Sequence, residues 1–330
     1  MNKILLFFLL TSGIASAQIV NIPDANFKSE LIANGVDTNT DGEIQVSEAL
    51  ATIAMDLDNP NITDLTGIEA FVNLETFQCI SLSVISLDFT SNINLIDISV
   101  LNTFPNQPTS IDVSSCIALE SLTIIESFIT TLDLSANVNL TALYIANNPL
   151  LETVFIKNGS DESSNMGSGS WMENWAFGNN PSLQYVCADD FQATEIQQFA
   201  GTNYPVNSYC TFPPGGEVNT ITGVSQFDND GNGCNPGDSP IPYTSFNIEF
   251  NGDPTNGMAY GNSEGIYNVF VAEVGTYTLI PNLENPTYFS VSPASADVLI
   301  PIIDESTVVQ DFCVEANGVH PDLEVIIAPV

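Results

Sequence analysis

Residues 119–156 read LESLTIIESFITTLDLSANVNLTALYIANNPLLETVFI, and two nested apolar frames run through them. Leu119, Leu122 and Ile124 recur 21 residues later as Leu140, Leu143 and Ile145, while Ile129, Leu132 and Leu134 are answered by Leu151, Val154 and Ile156. Upstream, the first frame passes through Leu95/Ile98/Val100 and Leu74/Phe77/Cys79, and the second through Ile111/Val113 and Val84/Leu87/Phe89. Alternate residues of an extended chain face the same way, so each frame predicts a short strand with its apolar side chains turned inward. The leading leucines are 21, 24 and 21 residues apart, a period of one coil. Such a coil is too short to return through an α-helix, which predicts stacked parallel strands with a second extended or 3₁₀ stretch.

The residues between the inward positions point outward. They are Gln78, Ser99, Thr123 and Tyr144 on one face, and Asp88, Asp112 and Asp133 on the other. Stacked strands lie about 4.8 Å apart, so three aspartates in a row need solvent or a bridging cation. The row reads either as a cation-dependent binding face or as a hydrated surface helped by neighbouring Ser and Thr. Asn92, Asn137 and Asn148 fall where a leucine-rich repeat carries its asparagine ladder, and Cys116 takes that place in the coil with the Pro105–Pro108 insertion. The chain from about 53 to 190 thus resembles the leucine-rich-repeat family. The nearest variety is the internalin-like, 21-residue form found in surface and secreted proteins of bacteria that use the type IX system. That resemblance implies a solenoid that binds by surface complementarity.

Asp37-Thr-Asn39-Thr-Asp41-Gly42-Glu43-Ile44-Gln45-Val46-Ser47-Glu48 fits the spacing of a calcium loop at every position. Asp37, Asn39 and Asp41 offer side-chain oxygens and Glu43 a carbonyl. Gln45 acts directly or through water, and Glu48 closes the shell as a bidentate carboxylate. A helix is expected over about 24–34 and a short exit helix after Ser47. The stretch resembles an EF-hand or dockerin-type loop, and residues 18–52 read as a helical N-terminal cap with a structural calcium site.

The composition narrows the chemistry. The chain of 330 residues carries 40 acidic groups, 3 lysines (Lys3, Lys28 and Lys157), no arginine and a formal net charge of -37. Such a surface repels phosphate backbones, so nucleic acid is not an expected partner. The single histidine, His320, sits in a Gly-Val-His-Pro turn and is given no catalytic role. Carboxylate-only glycoside hydrolysis survives this inventory. Residues 1–17, MNKILLFFLLTSGIASA, have the charged, apolar and small-residue regions of a cleaved signal peptide. No other stretch is long and apolar enough to span a membrane. Export permits disulfides. The expected pairs are Cys187–Cys210, which flank a loop, and Cys234–Cys313, the only cysteines after residue 210; Cys79 and Cys116 are expected as core thiols.

Residues 158–182 leave the repeat frame, and Trp171 and Trp175 are expected to plug the last coil, with a sugar-stacking platform as the alternative. Residues 53–211 read as the solenoid with its cap, 212–217 as a linker, and 218–330 as a β-sandwich plus the start of a following segment. The sandwich reading rests on Phe227-Asp228-Asn-Asp230-Gly-Asn232-Gly233-Cys234 and on the Tyr267 and Tyr277 strands, which resemble B-repeat and Cna-B-like prealbumin-type modules. The resemblance implies a second calcium site at Asp228, Asp230, Asn232 and Asp238, although Pro236 and Ser239 occupy later ligand positions. The absence of lysine between 218 and 330 rules out the Lys–Asn crosslink of some relatives. The expected fold is mainly β. The expected function is an exported, calcium-stabilised, non-enzymatic adhesion or binding protein at the cell surface or in the medium, with a protein or polysaccharide ligand. A spacer within a larger secreted enzyme, or an acid-only glycan hydrolase, is the alternative.

Overall fold

The computed structural model describes residues 18–101, 107–163, 177–200, 203–210 and 218–318. The signal-peptide stretch, Trp171, Trp175, the 212–217 stretch and His320 lie outside the described residues.

The chain opens with α1 (Ala25–Ala33) and α2 (Val46–Ala51). Asp24 caps α1 by accepting from the amides of Asn26 and Phe27, and Phe27 and Leu31, one turn apart, are its buried residues. Both side chains enter the solenoid core, as does Ile44 from the loop between the helices. Gly42 has a φ of 84°, the left-handed conformation that the loop spacing demands of a glycine.

The coils follow as β1 (Ala54–Leu57), β2 (Thr76–Ile80), β3 (Ser86–Asp88), β4 (Asp97–Leu101), β5 (Ser110–Asp112), β6 (Ser121–Ile125), β7 (Thr131–Asp133), β8 (Ala142–Ala146) and β9 (Thr153–Ile156). The longer strands form a parallel 5-stranded sheet in the order β1-β2-β4-β6-β8. The shorter strands stack on the other side of the core. The β3–β5 and β7–β9 pairs are parallel. The molecule is mainly β, and this part is a solenoid whose inward frame is the one the sequence predicts: Leu95, Ile98, Leu119, Leu122, Leu132, Leu140, Leu151 and Ile156 have no exposed surface.

Side-chain amides hold the corners. The Asn92 amide donates to the carbonyls of Ile68 and Phe71 at 2.9 and 3.0 Å. The Asn137 amide reaches those of Val113 and Cys116 at 3.0 and 2.9 Å. Between them Cys116 offers its thiol to the Phe89 and Asn92 carbonyls at 3.4 and 3.6 Å. Asn148 belongs to a different corner. It accepts from the Ser127 amide and hydroxyl and donates to the Ile124 carbonyl, and Asn180 extends that stack through the Ile145 carbonyl.

The last coil differs from the others. Strand β10 (Tyr185–Ala188) leads into α3 (Asp190–Ala200) and β11 (Val206–Asn207), so a true helix returns where short repeats left no room for one. Strand β10 pairs in parallel with both β9 and β11. Then come β12 (Asn219–Phe227), β13 (Ser239–Pro240), β14 (Ser245–Phe250), β15 (Asp253–Tyr260), β16 (Ile266–Val271), β17 (Gly275–Asn282), β18 (Phe289–Ser292), β19 (Ala296–Ile300), β20 (Thr307–Val309) and β21 (Phe312–Ala316). Strands β12, β13, β16, β18, β20 and β21 make one sheet, and β14, β15, β17 and β19 make a second. Both contribute to one core around Phe246, Tyr267, Leu279 and Phe312.

The second of these sheets does not stop at the module. Strand β15 pairs antiparallel with β11, Ala259 opposite Asn207, so an 8-stranded sheet runs from the solenoid into the C-terminal part. Gly257 makes this approach possible, because a Cβ there would stand 2.3 Å from the Ser208 carbonyl oxygen. The two disulfides join the pairs expected from the sequence. Cys187–Cys210 ties β10 to the chain leaving β11, with Cα atoms 5.8 Å apart. Cys234–Cys313 ties the loop after β12 to β21, at 5.4 Å. Cys79 and Cys116 are buried and free, and burial pushes both thiols up to about 12.

Replacing Asn137 by alanine removes two buried hydrogen bonds and leaves the Val113 and Cys116 carbonyls with one backbone partner each. Chemical denaturation is expected to show a loss of about 2–4 kcal/mol, whereas Asn139→Ala, which gives up one exposed bond to the Ile117 carbonyl, is expected to cost under about 1 kcal/mol.

Candidate ligand groove and cation loops

Strand register builds two faces. On the 5-stranded sheet Asp56, Gln78, Ser99, Thr123 and Tyr144 are paired in sequence across neighbouring strands. The four outward residues expected from the sequence therefore form one unbroken row, with Asp56 continuing it. Beside that row Ile80, Leu101 and Ile125 are half-buried and likewise in register. Burial raises the Tyr144 hydroxyl above its ordinary pKa.

On the short-strand side Asp88 lies opposite Asp112. Asp133 follows on β7, and its partner in the next coil is Phe155 rather than another acid. Two residues earlier in each strand runs a row of hydroxyls. The Ser110 hydroxyl donates to that of Ser86 at 2.9 Å, and Thr153 donates to Thr131 at 3.3 Å. The Ser/Thr-x-Asp repeat in the short strands is the sequence signal for this second row. Ser86, Asp88, Ser110, Asp112, Thr131 and Asp133 line a shallow groove of roughly 520 Å³.

Each aspartate is oriented by its own chain. Asp88 Oδ1 accepts from the Thr90 hydroxyl at 2.6 Å and the Thr90 amide at 2.9 Å. Asp112 Oδ1 accepts from the Ser114 hydroxyl and amide, and Asp133 Oδ1 from the Ser135 amide. The Thr90 hydroxyl, then its amide, hold the Asp88 carboxyl below the ordinary range. The groove is thus a lattice of fixed acceptors and hydroxyls repeated once per coil.

The first loop gathers its residues in a web of hydrogen bonds. Asp37 accepts from the amides of Asp41 and Gly42. Asn39 donates to Asp41 and Gln45, and the Gln45 amide donates to both oxygens of Asp41. Glu43 turns its carboxylate to Lys28 at 2.5 Å. Glu48, expected as the bidentate closing ligand, accepts through Oε1 from the Thr38 amide and hydroxyl and the Asn39 amide, and through Oε2 from the Gln45 amide. The last of these, from the Gln45 backbone amide, belongs to a capping box at the start of α2. The EF-hand spacing and the capping box call for the same residue types, so the sequence read as a cation ligand a group that also holds the helix start.

The second loop brings carboxylates together. Asp228, Asp230 and Asp238 place ligand oxygens within 4.8 Å of one another. Asp228 accepts from four successive amides, those of Asp230, Gly231, Asn232 and Gly233, and Asp238 accepts from those of Asn229 and Asn235. The Gly233 amide foremost keeps the Asp228 carboxyl ionised below its usual range, against its partial burial. Asn232 donates to Asp230, and its own side-chain oxygen faces the Asn235 amide. An all-oxygen set with three converging carboxylates fits a hard divalent cation such as calcium.

The fold is a leucine-rich-repeat-like solenoid. No family model matches the chain, and no curated protein matches it. Among solved structures it is similar to the functional domain of InlJ from Listeria monocytogenes, which includes a cysteine ladder. That match is 20% identical with a TM-score of 0.32, over 83% of this chain and 50% of that one. The internalin-like protein lmo2027 of Listeria monocytogenes is 12% identical with a TM-score of 0.28, over 91% of this chain and 98% of that one. A Clostridium perfringens ZmpB structure, containing CBM51-2 in complex with GlcNAc and INT domains, is 12% identical with a TM-score of 0.20, over 91% of this chain and 36% of that one. The chain therefore spans half the length of the InlJ domain. No helix among the described residues is long and apolar enough to cross a membrane.

The Glu48 bonds give a pH dependence. Burial works against its charged form, but the Gln45 amide, the Thr38 hydroxyl and amide and the Asn39 amide outweigh it and hold the pKa below the ordinary 4.5. A depressed folded value contributes stability that is present above about 4.5 and is lost as pH falls below it. Glu48→Gln in calcium-free buffer at pH 7 is expected to cost about 1 kcal/mol, as for a lost helix cap. The difference from wild type should shrink when thermal unfolding is repeated near pH 3.

Proposed function

We propose that the protein is exported and acts as a calcium-stabilised, non-enzymatic binding protein whose short-strand groove takes a polysaccharide. The observation that carries this reading is the row of oriented aspartates and hydroxyls lining one groove, Asp88, Asp112 and Asp133 beside Ser86, Ser110 and Thr131, with Asp88 and Asp112 in register. Fixed carboxylates accept well from sugar hydroxyls, and neighbouring hydroxyls both donate and accept. Where the short strands pair, as β3 does with β5, the lattice repeats at about 4.8 Å, close to the advance of one pyranose along an extended chain. The strongly negative surface favours a neutral or aminated glycan over an anionic one.

Binding accounts for the groove better than hydrolysis does. A glycosidase needs one carboxyl held protonated beside a second that is ionised, whereas the groove's own Asp88 is held toward ionisation. Glu162, the carboxyl with a strongly raised pKa, has no exposed surface from which to reach a substrate. The opposite face supports a second reading. Gln78, Ser99, Thr123 and Tyr144 beside Ile80, Leu101 and Ile125 offer the mixed polar and apolar surface that suits a protein ligand.

Calcium would sit on Asp228, Asp230, Asn232 and Asp238 in the second loop. In the first it would take Asp37, Asn39, Asp41, the Glu43 carbonyl, Gln45 and Glu48. Its contribution there is charge, which offsets the mutual repulsion of the carboxylates and ties each loop to its neighbours. In the second loop, Asn235, whose amide donates to Asp238, is next to Cys234, which the disulfide fastens to β21.

Two measurements test the proposal. Wild-type protein is expected to bind at least one neutral or aminated polysaccharide in an immobilised glycan screen. Asp112→Asn should weaken that binding about tenfold, the effect of one charged hydrogen bond, and Thr123→Arg should leave it unchanged. Loss with Thr123→Arg alone would move the ligand to the sheet face. For the cation, calcium at about 100 times its dissociation constant should add about 2.7 kcal/mol of stability per site. Asp238→Asn is expected to remove the second loop's share, and identical melting curves in calcium and in chelator would end the calcium reading.

A further inference from the structure

The solenoid ends in an acidic cluster around one buried glutamate, Glu162, that neither the groove nor the cation loops use. We propose that residues 158–163, which follow β9 and are hydrogen-bonded to helix α3 of the last coil, form a pH-sensitive latch. The latch is closed while Glu162 is protonated and loosens when that side chain ionises.

Glu162 has no exposed surface. Two neutral amides hold its carboxyl: Asn158 donates to Oε1 and Gln192 to Oε2, each at 2.8 Å. Gln192, also without exposed surface, grips the segment at further points. Its side-chain oxygen accepts from the amides of Glu162 and Ser163 at 3.1 and 3.3 Å, and its nitrogen also donates to the Ser160 carbonyl at 3.2 Å. One side chain of α3 thus fastens the whole stretch, and Glu162 is the group it fastens to.

The charged groups around the latch are acids. Asp189, at the start of α3, accepts from the Asn158 and Gly159 amides at 3.0 and 2.7 Å. Asp161 and Glu195 both approach the Ser163 hydroxyl, at 2.6 and 3.2 Å. Lys157, the residue before the segment, directs its ammonium to the Ser208 carbonyl at 2.6 Å. An ionised Glu162 would therefore be a buried negative charge held, among the described residues, by neutral amides and faced by Asp189. Burial without an opposite charge favours the neutral acid.

The direction agrees. Burial raises the Glu162 pKa from 4.5 to about 7, with the Asn158 and Gln192 amides pulling the other way and the Asp189 charge adding to the rise. A carboxyl whose closed-state value is raised stabilises the closed state fully below about pH 4.5. That stability is lost progressively as pH climbs to about 7. Carboxylates in ordinary surroundings finish titrating near the bottom of this window, so most of the chain's charge stays constant while the latch responds.

Hydrogen exchange read by mass spectrometry, corrected for the intrinsic pH dependence of exchange, tests this on the intact protein at pH 5 and pH 8. Peptides covering 158–163 are expected to lose more than tenfold in protection at pH 8, while the coil-interior peptide 119–125 stays unchanged. In Glu162→Gln the protection of 158–163 should no longer depend on pH. Equal protection of the wild-type segment at both values overturns the latch, as does a loss shared by 119–125. Should Glu162→Gln fail to fold, carboxyl carbon NMR on the wild type decides. One glutamate titrating with a midpoint near 7 supports the latch, and all glutamates complete by pH 5.5 overturns it.

Discussion

The solenoid depends on the pairing of backbone carbonyls at its corners. Wherever the chain turns between the long and short strands, carbonyls that point into the core have one turn amide as partner and a second lone pair to fill. Asn92 and Asn137 fill it by donating a side-chain amide to two carbonyls each. Their own carbonyl oxygens remain buried without partners among the described residues, so the ladder satisfies two acceptors at the expense of one. Each amide bonds the coil before it, which fixes how far one coil is rotated on the next. The outward rows inherit that register, and Gln78, Ser99, Thr123 and Tyr144 line up because the asparagines inside do.

A chain with 40 acids and 3 lysines cannot neutralise its carboxylates by ion pairs. It uses amides and hydroxyls instead. Asp24 caps α1 and also accepts from Thr63 and Asp64. The groove aspartates accept from the residues two positions later, and Asp228 collects four amides. Such bonds favour the charged form and orient it. The negative surface is therefore an array of fixed acceptors, and cations or hydroxylated ligands must supply what the chain lacks. Glu162 departs from this pattern because its burial outweighs the amides that reach it.

The features legible in the sequence were those with a short repeat or a fixed spacing. The two apolar frames gave the inward residues, their midpoints gave the row from Gln78 to Tyr144, and Phe27 and Leu31, four residues apart, marked α1. Asn148 was placed in the wrong stack because two corners of one coil use the same residue type, and only the partners Ser127 and Asn180 separate them. Helix α3 escaped because it occurs once, in a coil that no longer keeps the repeat length. Glu162 escaped because nothing local marks a glutamate for burial. Its setting comes from Gln192, 30 residues away.

The β11–β15 pairing also has no local signature, and it alters what the C-terminal part does for the solenoid. A parallel stack ends in a strand with open amides and carbonyls, an edge that invites pairing with other chains, and solenoids cover such ends with dedicated caps. Here β11 is covered by β15 of the following module. The Ser208 and Tyr209 amides both donate to the Met258 carbonyl, and the Asn207 side chain accepts from the Tyr260 amide. Tyr260 packs into the solenoid core rather than that of its own sheets, and its hydroxyl donates to the Asp190 carbonyl at the start of α3. A module whose tyrosine completes the neighbour's core is a cap as well as an appendage. The groove on the short-strand face is thus braced from both ends, by the helices at 25–51 and by β15.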